Sequence, residues 1–227
     1  MTDTPHSYPA SYFIGRDLND YKRMKSYVLE KQLINKYVQS GVMCDVGCGT
    51  GEFHEILKWD GLIFGMEVSD TAKLAAENRG VNFSKSILTE VNFFDLIVFR
   101  GVIQHLSDPF GYLASSYKSL KPGGFIVFLM TPNADSISYK LFGHLPLLDS
   151  NRNFWTPSSA TLSANLTNLG FKIKHIGKPY WRSPYRSLIA DHFKFVMCVL
   201  RLRSKGGAFW GNAMELVAQK PNPNMEC

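Results

Sequence analysis

Between residues 42 and 131, short apolar runs alternate with stretches of helical periodicity. The stretches predict helices at 51–59, 70–79 and 109–120, and the runs predict five strands: "VMCDV", "LIFGMEV", "VNFSKS", "FFDLIVFRG" and "FIVFLMT". Strands joined by crossover helices form parallel sheets, and near-continuous apolar runs are typical of strands buried on both faces. The pattern predicts an α/β fold, a Rossmann-like doubly wound sheet. Further helices are expected at 18–38 and 158–169, and the last two strands at "FKIKHIG" and "AMELVAQK".

The length of 227 residues, with 45% apolar, suits one domain spanning 1–227. We expect a helical cap at 1–40 and a lid-like insertion rich in basic and aromatic residues at 172–210. Nine Lys or Arg and one acid lie between Lys172 and Lys205, a balance of +8, which leaves 6 − 8 = −2 elsewhere. The N-terminal sequence has no export-signal pattern and no apolar run is long enough to span a bilayer, so we expect a cytoplasmic protein.

The stretch "MCDVGCGTGEF" places three alternating glycines, Gly47, Gly49 and Gly51, between a predicted strand and a predicted helix. Three ligands are compatible with this outline. A phosphate loop requires a Lys after its last glycine, but Glu52 follows here and would repel a phosphate. A dinucleotide fingerprint requires G-x-G-x-x-G, whereas the spacing here is G-x-G-x-G. S-adenosylmethionine fits better, because its only anionic group is a carboxylate.

Each part of S-adenosylmethionine has a candidate contact in the sequence. Gly47 and Gly49 let the backbone approach the methionine tail, and the helix N-terminus that follows favours its carboxylate. Asp45 is placed to meet the ammonium group. Glu67, at the end of the second strand, can accept hydrogen bonds from the ribose hydroxyls. His54 lies in the first of these helices, where we expect a surface or helix-packing position.

The chain resembles the class I S-adenosylmethionine-dependent methyltransferases, in particular the branch with ubiquinone and surface-glycan methyltransferases. The resemblance rests on four motifs in order: "DVGCGTGEF", "GMEVSD", "FFDLIVFRGVIQHLSDPFGYL" and "LKPGGFIVFLMTPN". It implies a seven-stranded, mostly parallel sheet whose last strand is antiparallel. It also implies a cofactor site, with S-adenosylhomocysteine as product, formed by Asp45, Gly47, Cys48, Gly49, Glu67, Val68, Ser86, Ile87 and Arg100. Ser86 departs from many relatives, which have an acid there, and Arg100 is expected to contribute mainly its carbonyl.

His105 is the one histidine that the motif match places at a loop on the cofactor side. It is the candidate general base, and the alternative is that it only orders the loop after the fourth strand. No carboxylate cluster has magnesium-ligand spacing, so we predict no metal. The run that begins at Arg100 reads "RGVI" and lacks the Asp/Asn-Pro-Pro-Tyr/Phe signature of enzymes that methylate amino groups of DNA bases. No Pro-Cys dipeptide, the nucleophile of cytosine-carbon methylation, occurs either.

By analogy with the branch that it resembles, the chain is expected to O-methylate a small molecule or glycan. N- or C-methylation, or cofactor binding without turnover, remain as alternatives. The basic segment suggests an anionic acceptor, with peripheral membrane contact as a further option and nucleic acid disfavoured. The sequence leaves the oligomeric state open.

Overall fold

The computed structural model describes residues 20–145, 148, 153–202 and 210–223. One six-stranded sheet organises them, with the spatial order β2-β1-β3-β4-β6-β5. Its strands are β1 (Ser40–Val46), β2 (Asp60–Met66), β3 (Phe94–Arg100), β4 (Leu120–Pro132), β5 (Lys172–Gly177) and β6 (Ala213–Gln219). Residues 1–19 of the predicted N-terminal cap lie outside the described residues, so the cap stays a prediction.

The sheet is parallel except at its last strand. β1 pairs in parallel with β2 and β3, and β3 in parallel with β4. β6 runs antiparallel to both β4 and β5. The predicted Rossmann-like, doubly wound α/β sheet with an antiparallel last strand is therefore confirmed.

The predicted strand "VNFSKS" is reduced to a single bridge. Asn82 pairs in parallel with Phe64 of β2, and its carbonyl accepts a hydrogen bond from the Gly65 N–H at 2.8 Å. The Asn82 side chain then accepts from the Ser84 N–H at 2.7 Å, a local turn that leads the backbone away from β2. The seventh position of the predicted sheet is thus occupied, but by a bridge at the edge and not by a full strand.

Helices connect the strands, and side-chain caps mark where most of them begin. The helices are α1 (Tyr21–Ile34), α2 (Glu52–Leu57), α3 (Asp70–Glu77), α4 (Pro109–Ser119), α5 (Ile137–Phe142), α6 (Ser159–Asn168) and α7 (Leu188–Val199). Asp20, Ser69, Asp108, Ser136 and Ser158 each accept a backbone N–H of the first turn that follows. A short 3-10 helix, Ile103–His105, follows β3.

Alternate residues of the central strands face two separate cores. On β3, Leu96 and Val98 face one cluster, while Ile97 and Phe99 face the other. All four are fully buried, as expected for a strand covered on both faces. Burial of each such side chain contributes about 1.5–3 kcal/mol, so the two cores hold the central strands rigidly.

β1 lies between β2 and β3, so the chain leaves β1 towards one side of the sheet and returns on the other. The loops after β1 and β3 therefore diverge at the carboxyl ends of these strands and leave a crevice between them. Within the described ranges, no helix is long and apolar enough to cross a membrane.

Candidate active site

A cavity of ≈ 300 Å³ opens at the carboxyl ends of β1 and β3. Its lining comes from the turn after β1, the 3-10 helix after β3, helix α1, β4 and the loop before α7. The lining residues are Arg23, Tyr27, Asp45, Gly47, Cys48, Gly49, Thr50, Glu52, Phe53, Arg100, Gly101, Gln104, His105, Met130 and Tyr185. The structure thus brings Asp45, Gly47, Cys48, Gly49, Arg100 and His105 to one cavity.

The glycine turn forms one wall of the cavity with its backbone. Gly47 and Gly49 have φ angles of 72° and 57°, which residues with a Cβ rarely adopt. A Cβ at Gly47 would lie 2.5 Å from Val102 Cγ2, whereas a Cβ at Gly49 would meet nothing within 4 Å. Gly47 is therefore required by close packing, while Gly49 leaves its backbone open towards the cavity.

Asp45 contributes a buried carboxylate with one oxygen available. Its Oδ2 lies 3.1 Å from His54 Nε2, and both side chains are almost completely buried, although the angles are not those of a hydrogen bond. Asp45 Oδ1 is buried and has no hydrogen-bond partner among the described residues. An orphaned acceptor in the cavity wall suits an ammonium group, which fits the methionine end of the expected cofactor.

Glu67 binds the backbone of the turn and does not line the cavity. Its Oε2 accepts from the Gly49 N–H at 3.0 Å, while Oε1 accepts from the N–H groups of Val68 and Ser69 at 2.8 and 3.0 Å. The Val68 side chain is half exposed. Glu67 therefore holds the glycine turn through its backbone from a position outside the cavity lining. Its contact with a ribose stays a prediction.

Three of the four remaining predicted cofactor contacts, Cys48, Ser86 and Ile87, differ in their surroundings. The Ser86 hydroxyl accepts the Leu88 N–H at 3.2 Å, and the buried Ile87 has its carbonyl bound by the Ser119 hydroxyl at 2.6 Å. Neither residue lines the cavity. Cys48 does line it, and burial, with help from Asp45 and Glu67, raises the pKa of its thiol, so the thiol stays protonated.

The Arg100 side chain makes contacts that the sequence did not predict. Its Nε donates to Glu30 Oε2 at 2.7 Å and its terminal nitrogen to Glu30 Oε1 at 3.2 Å. The guanidinium also lies over the Tyr27 ring, 4.5 Å from its centroid. Burial alone would lower the pKa of Arg100, but the pairing with Glu30 outweighs it and the pKa is raised. This buried pair ties α1 to the end of β3.

Helix α1 contributes two lining residues that sequence reasoning missed. Arg23 pairs with Glu52 at 3.4 Å, and Tyr27 donates to the same carboxylate at 3.4 Å. Burial raises the pKa of Tyr27, so it stays a phenol. Of the two positions expected for His54, the surface is excluded, because the residue is buried against Asp45. Its position, nine residues after Asp45 and one turn into α2, is the signal that could have indicated this contact.

Gln104 and His105 form the wall opposite the glycine turn. Gln104 Nε2 donates to the Gly101 carbonyl at 3.0 Å and lies 3.1 Å from His105 Nε2. With the amide nitrogen as donor, His105 Nε2 is an acceptor in this pair, an assignment that follows from the hydrogen-bond pattern. Gln104 Oε1 is buried without a hydrogen-bond partner among the described residues. The backbone carbonyl of Gln104 accepts the Phe154 N–H at 2.9 Å, which fixes this loop.

The segment between β5 and α7 reaches the cavity through Tyr185. Burial raises the pKa of this phenol. The segment is held by Asp191, which accepts the Tyr180 hydroxyl at 2.9 Å and the Ser187 N–H at 3.1 Å, and by an ion pair between Arg182 and Glu215. The predicted lid role stays a prediction.

The lining side chains carry no excess of positive charge. The cations Arg23 and Arg100 are matched by the anions Asp45 and Glu52, and each cation is already paired within the protein. The basic segment therefore does not make the cavity itself cationic, and nothing in the lining favours an anionic acceptor. Among the described residues, no group of three or more His, Cys, Asp or Glu side chains could hold a metal ion.

Comparisons with known proteins agree with this geometry. A family profile described as a methyltransferase domain matches residues 21–176. A ubiquinone biosynthesis O-methyltransferase from Vibrio cholerae is 30% identical over 138 residues, 54% of this chain and 54% of that protein. A phosphoethanolamine N-methyltransferase 1 from Arabidopsis thaliana is 31% identical over 113 residues, 42% of this chain and 23% of that protein. The chain spans about half or less of the length of these curated relatives.

A solved structure supports the fold. The crystal structure of a SAM-dependent methyltransferase from Archaeoglobus fulgidus superposes with a TM-score of 0.57 at 19% identity, covering 86% of this chain and 95% of that one. At this identity the likeness concerns the fold alone. The family profile, by contrast, spans well over half of the chain and includes the glycine turn, Glu67 and the loop after β3. The chain therefore belongs to the methyltransferase domain family, as a class I S-adenosylmethionine-dependent methyltransferase domain.

Proposed function

We propose that this domain transfers a methyl group to a hydroxyl oxygen of a small molecule or glycan. The observation that carries the proposal is the position of an imidazole, His105, in the wall of the cavity that the glycine turn also lines. A hydroxyl becomes a better nucleophile as a base removes its proton, whereas a neutral amine needs no base to attack. A candidate base beside the cofactor turn therefore supports oxygen as the acceptor atom.

The residues of the glycine wall suit the cofactor. Gly49 leaves open space where a side chain would otherwise project, and Asp45 Oδ1 offers an unpaired, buried acceptor. Helix α2 has only six residues and carries Glu52 at its start, so we assign the cofactor carboxylate to the backbone of the turn and not to a helix dipole. When bound, S-adenosylmethionine supplies an electrophilic methyl group on a sulfonium, a leaving group that needs no further activation.

The protein's own contribution is orientation and proton transfer. Gln104 holds the ring of His105, and its unpartnered Oε1 can accept a hydrogen bond from a second hydroxyl of the acceptor. When an acceptor binds, its hydroxyl would replace the Gln104 amide at His105 Nε2, while that amide keeps its hydrogen bond to the Gly101 carbonyl. His105 would then take up the hydroxyl proton as the methyl group passes from the sulfonium sulfur, whose C–S bond breaks, to the acceptor oxygen. Positioning the oxygen at about 3 Å from the methyl carbon supplies most of the acceleration.

Two measurements test this function. Calorimetric titration with S-adenosylhomocysteine should show binding, and titration with NAD should show none. Incubation with S-adenosylmethionine and matched sets of hydroxyl and amine acceptors should then release S-adenosylhomocysteine with the hydroxyl set. Transfer to amines alone would overturn the oxygen assignment while leaving the methyltransferase assignment intact. Cofactor binding with no turnover on either set would favour a binding protein.

A further inference from the structure

Helix α7 exposes its apolar side. The exposed positions fall on one face of the helix and its last turn: Leu188, Ile189, His192, Phe193, Val196, Val199 and Leu200. All but His192 are apolar, and Ile189 and Phe193 are 88% and 62% exposed. On an ordinary surface helix the charged residues face solvent, so this arrangement is reversed. We call these seven residues the α7 face.

Asp191, the only acid of the basic segment 172–205, does not lie on this face. Asp191 lies on the opposite side of α7, 2% exposed, where it accepts hydrogen bonds from Tyr180 and Ser187. Cys198 is buried on the same side. The α7 face therefore carries no negative charge, and its apolar residues are not needed to attach the helix to the protein.

Two exposed arginines and an exposed aromatic ring lie at the two ends of helix α7. In the loop before α7, Trp181 is 71% exposed and the Arg186 guanidinium lies 5.4 Å from the centroid of its ring. Arg201 directly follows the helix and is exposed, and both arginines belong to the segment with a balance of +8. An apolar face, a flanking Trp and a basic border are the features of helices that lie in the interface of a bilayer.

We propose that the α7 face docks on an anionic lipid bilayer, with α7 lying in the plane of the interface. The apolar side chains enter the acyl boundary, and Arg186 and Arg201 contact the anionic headgroups. A second copy of this chain is a worse occupant. A symmetric contact would place two strongly basic segments against each other without acids to pair them.

The docking surface is close to the cavity. Tyr185, which lines the cavity, precedes the first residue of α7 by three positions. A bilayer bound at the α7 face would therefore lie beside the cavity mouth. The α7 face would bind a bilayer whether or not the domain transfers a methyl group, and whichever acceptor atom is methylated.

Vesicle co-sedimentation of the full chain tests the proposal. The protein should pellet with vesicles of phosphatidylcholine mixed with phosphatidylglycerol, and far less with phosphatidylcholine alone or at high salt. The double variant Ile189→Ser/Phe193→Ser should lower the partition coefficient about tenfold or more, because two inserted side chains are lost. The control Leu74→Ser/Val91→Ser removes residues that are 62% and 69% exposed outside α7, and should leave it unchanged.

Three outcomes would overturn the proposal. The first is equal pelleting of the double variant and the parent chain, and the second is equal binding to neutral and anionic vesicles. The third is a dimer in light scattering that the double variant converts to a monomer while neither form binds vesicles, which would make the α7 face an interface between copies. Titration of the double variant with S-adenosylhomocysteine should match that of the parent chain, so loss of docking is distinguished from loss of the cofactor site.

Discussion

The two walls of the cavity are built in different ways. The glycine wall, Asp45 with Gly47–Gly49, comes from one continuous stretch of chain and consists largely of backbone in the left-handed region. The acceptor wall, Gln104, His105, Met130 and Tyr185, comes from three separate parts of the chain and consists of side chains. A continuous wall can be predicted from local sequence, whereas a composite wall depends on the whole fold. The predictions below test whether the walls also divide the work into cofactor binding and acceptor chemistry.

The largest expected effect is on the acceptor wall. His105→Ala should lower the turnover number by about 10²–10⁴-fold, the usual contribution of a general base, with little change in the affinity for S-adenosylhomocysteine. Steady-state kinetics on a hydroxyl acceptor and calorimetry measure the two quantities. His105→Gln can keep a hydrogen bond to Gln104 but cannot take up the proton at neutral pH. Activity retained in His105→Gln would show that the residue only orders its loop, and that the chemistry is positioning alone.

The next effect concerns the ion pair between α1 and β3. Glu30→Ala leaves the Arg100 guanidinium without its partner, and loss of one partner of a buried pair costs about 3–5 kcal/mol of unfolding free energy. Since the Arg100 side chain is 21% exposed, we expect the lower end of that range. Urea unfolding measures the loss. The matched control is Glu55→Ala, which breaks the more exposed pair with Arg79 and should cost less than about 1 kcal/mol. Equal costs in the two variants would mean that the Glu30–Arg100 pair stabilises the fold no more than a surface pair does.

The sequence predicted the parts of the molecule that depend on neighbouring residues. The alternation of apolar runs and helical periodicity was sufficient to predict the sheet, because the central strands β3 and β4 are largely buried and therefore read as apolar runs. The local sequence was also sufficient to predict the glycine wall, because glycines at 47 and 49 indicate a turn with positive φ angles. It overestimated "VNFSKS", where a turn at Asn82 ends the pairing after one residue.

Long-range side-chain pairings could not be predicted. Glu30 and Arg100 are 70 residues apart, and neither position has a local signal for the other. Tyr185 could not be predicted either, because the sequence indicated only that its segment is basic and aromatic, and not that it reaches the cavity. The excess of Lys and Arg suggested an anionic acceptor, but the cavity lining is balanced in charge and gives that suggestion no support, so it stays a prediction. The apolar face of α7 became evident only when the helix was placed on the fold.

Two alanine substitutions within the glycine wall separate packing from binding. Gly47→Ala adds a clash with Val102 to the strain of the left-handed region, and should cost about 2–4 kcal/mol of unfolding free energy. Gly49→Ala carries only the strain, about 1–2 kcal/mol, because its methyl group enters open space. That space belongs to the cavity, so Gly49→Ala should lower the affinity for S-adenosylhomocysteine about tenfold or more. Unchanged affinity in Gly49→Ala would place the cofactor elsewhere.

The smallest effect is expected behind the glycine wall, at Glu67. Glu67→Ala leaves three backbone N–H groups without their acceptor and removes the carboxylate expected at the ribose. Each unpaired group costs about 1–3 kcal/mol when shielded from water, but the exposed side of this turn lets water replace part of the loss. We therefore expect the affinity for S-adenosylhomocysteine to fall roughly 5- to 150-fold, with a smaller change in the unfolding midpoint.

Titration with adenosine then distinguishes the two ways in which Glu67 can act. If the carboxylate contacts the ribose, Glu67→Ala should weaken adenosine and S-adenosylhomocysteine by similar factors, because both carry the same hydroxyls. If it acts only by holding Gly49, adenosine should bind the variant and the parent chain alike, since the nucleoside lacks the tail that meets the turn. Glu67→Gln keeps one carbonyl oxygen for the Val68 and Ser69 N–H groups and loses the acceptor for the Gly49 N–H. Its Kd for S-adenosylhomocysteine should therefore lie between those of the parent chain and Glu67→Ala. An unchanged Kd of S-adenosylhomocysteine in Glu67→Ala would remove this residue from the cofactor site altogether.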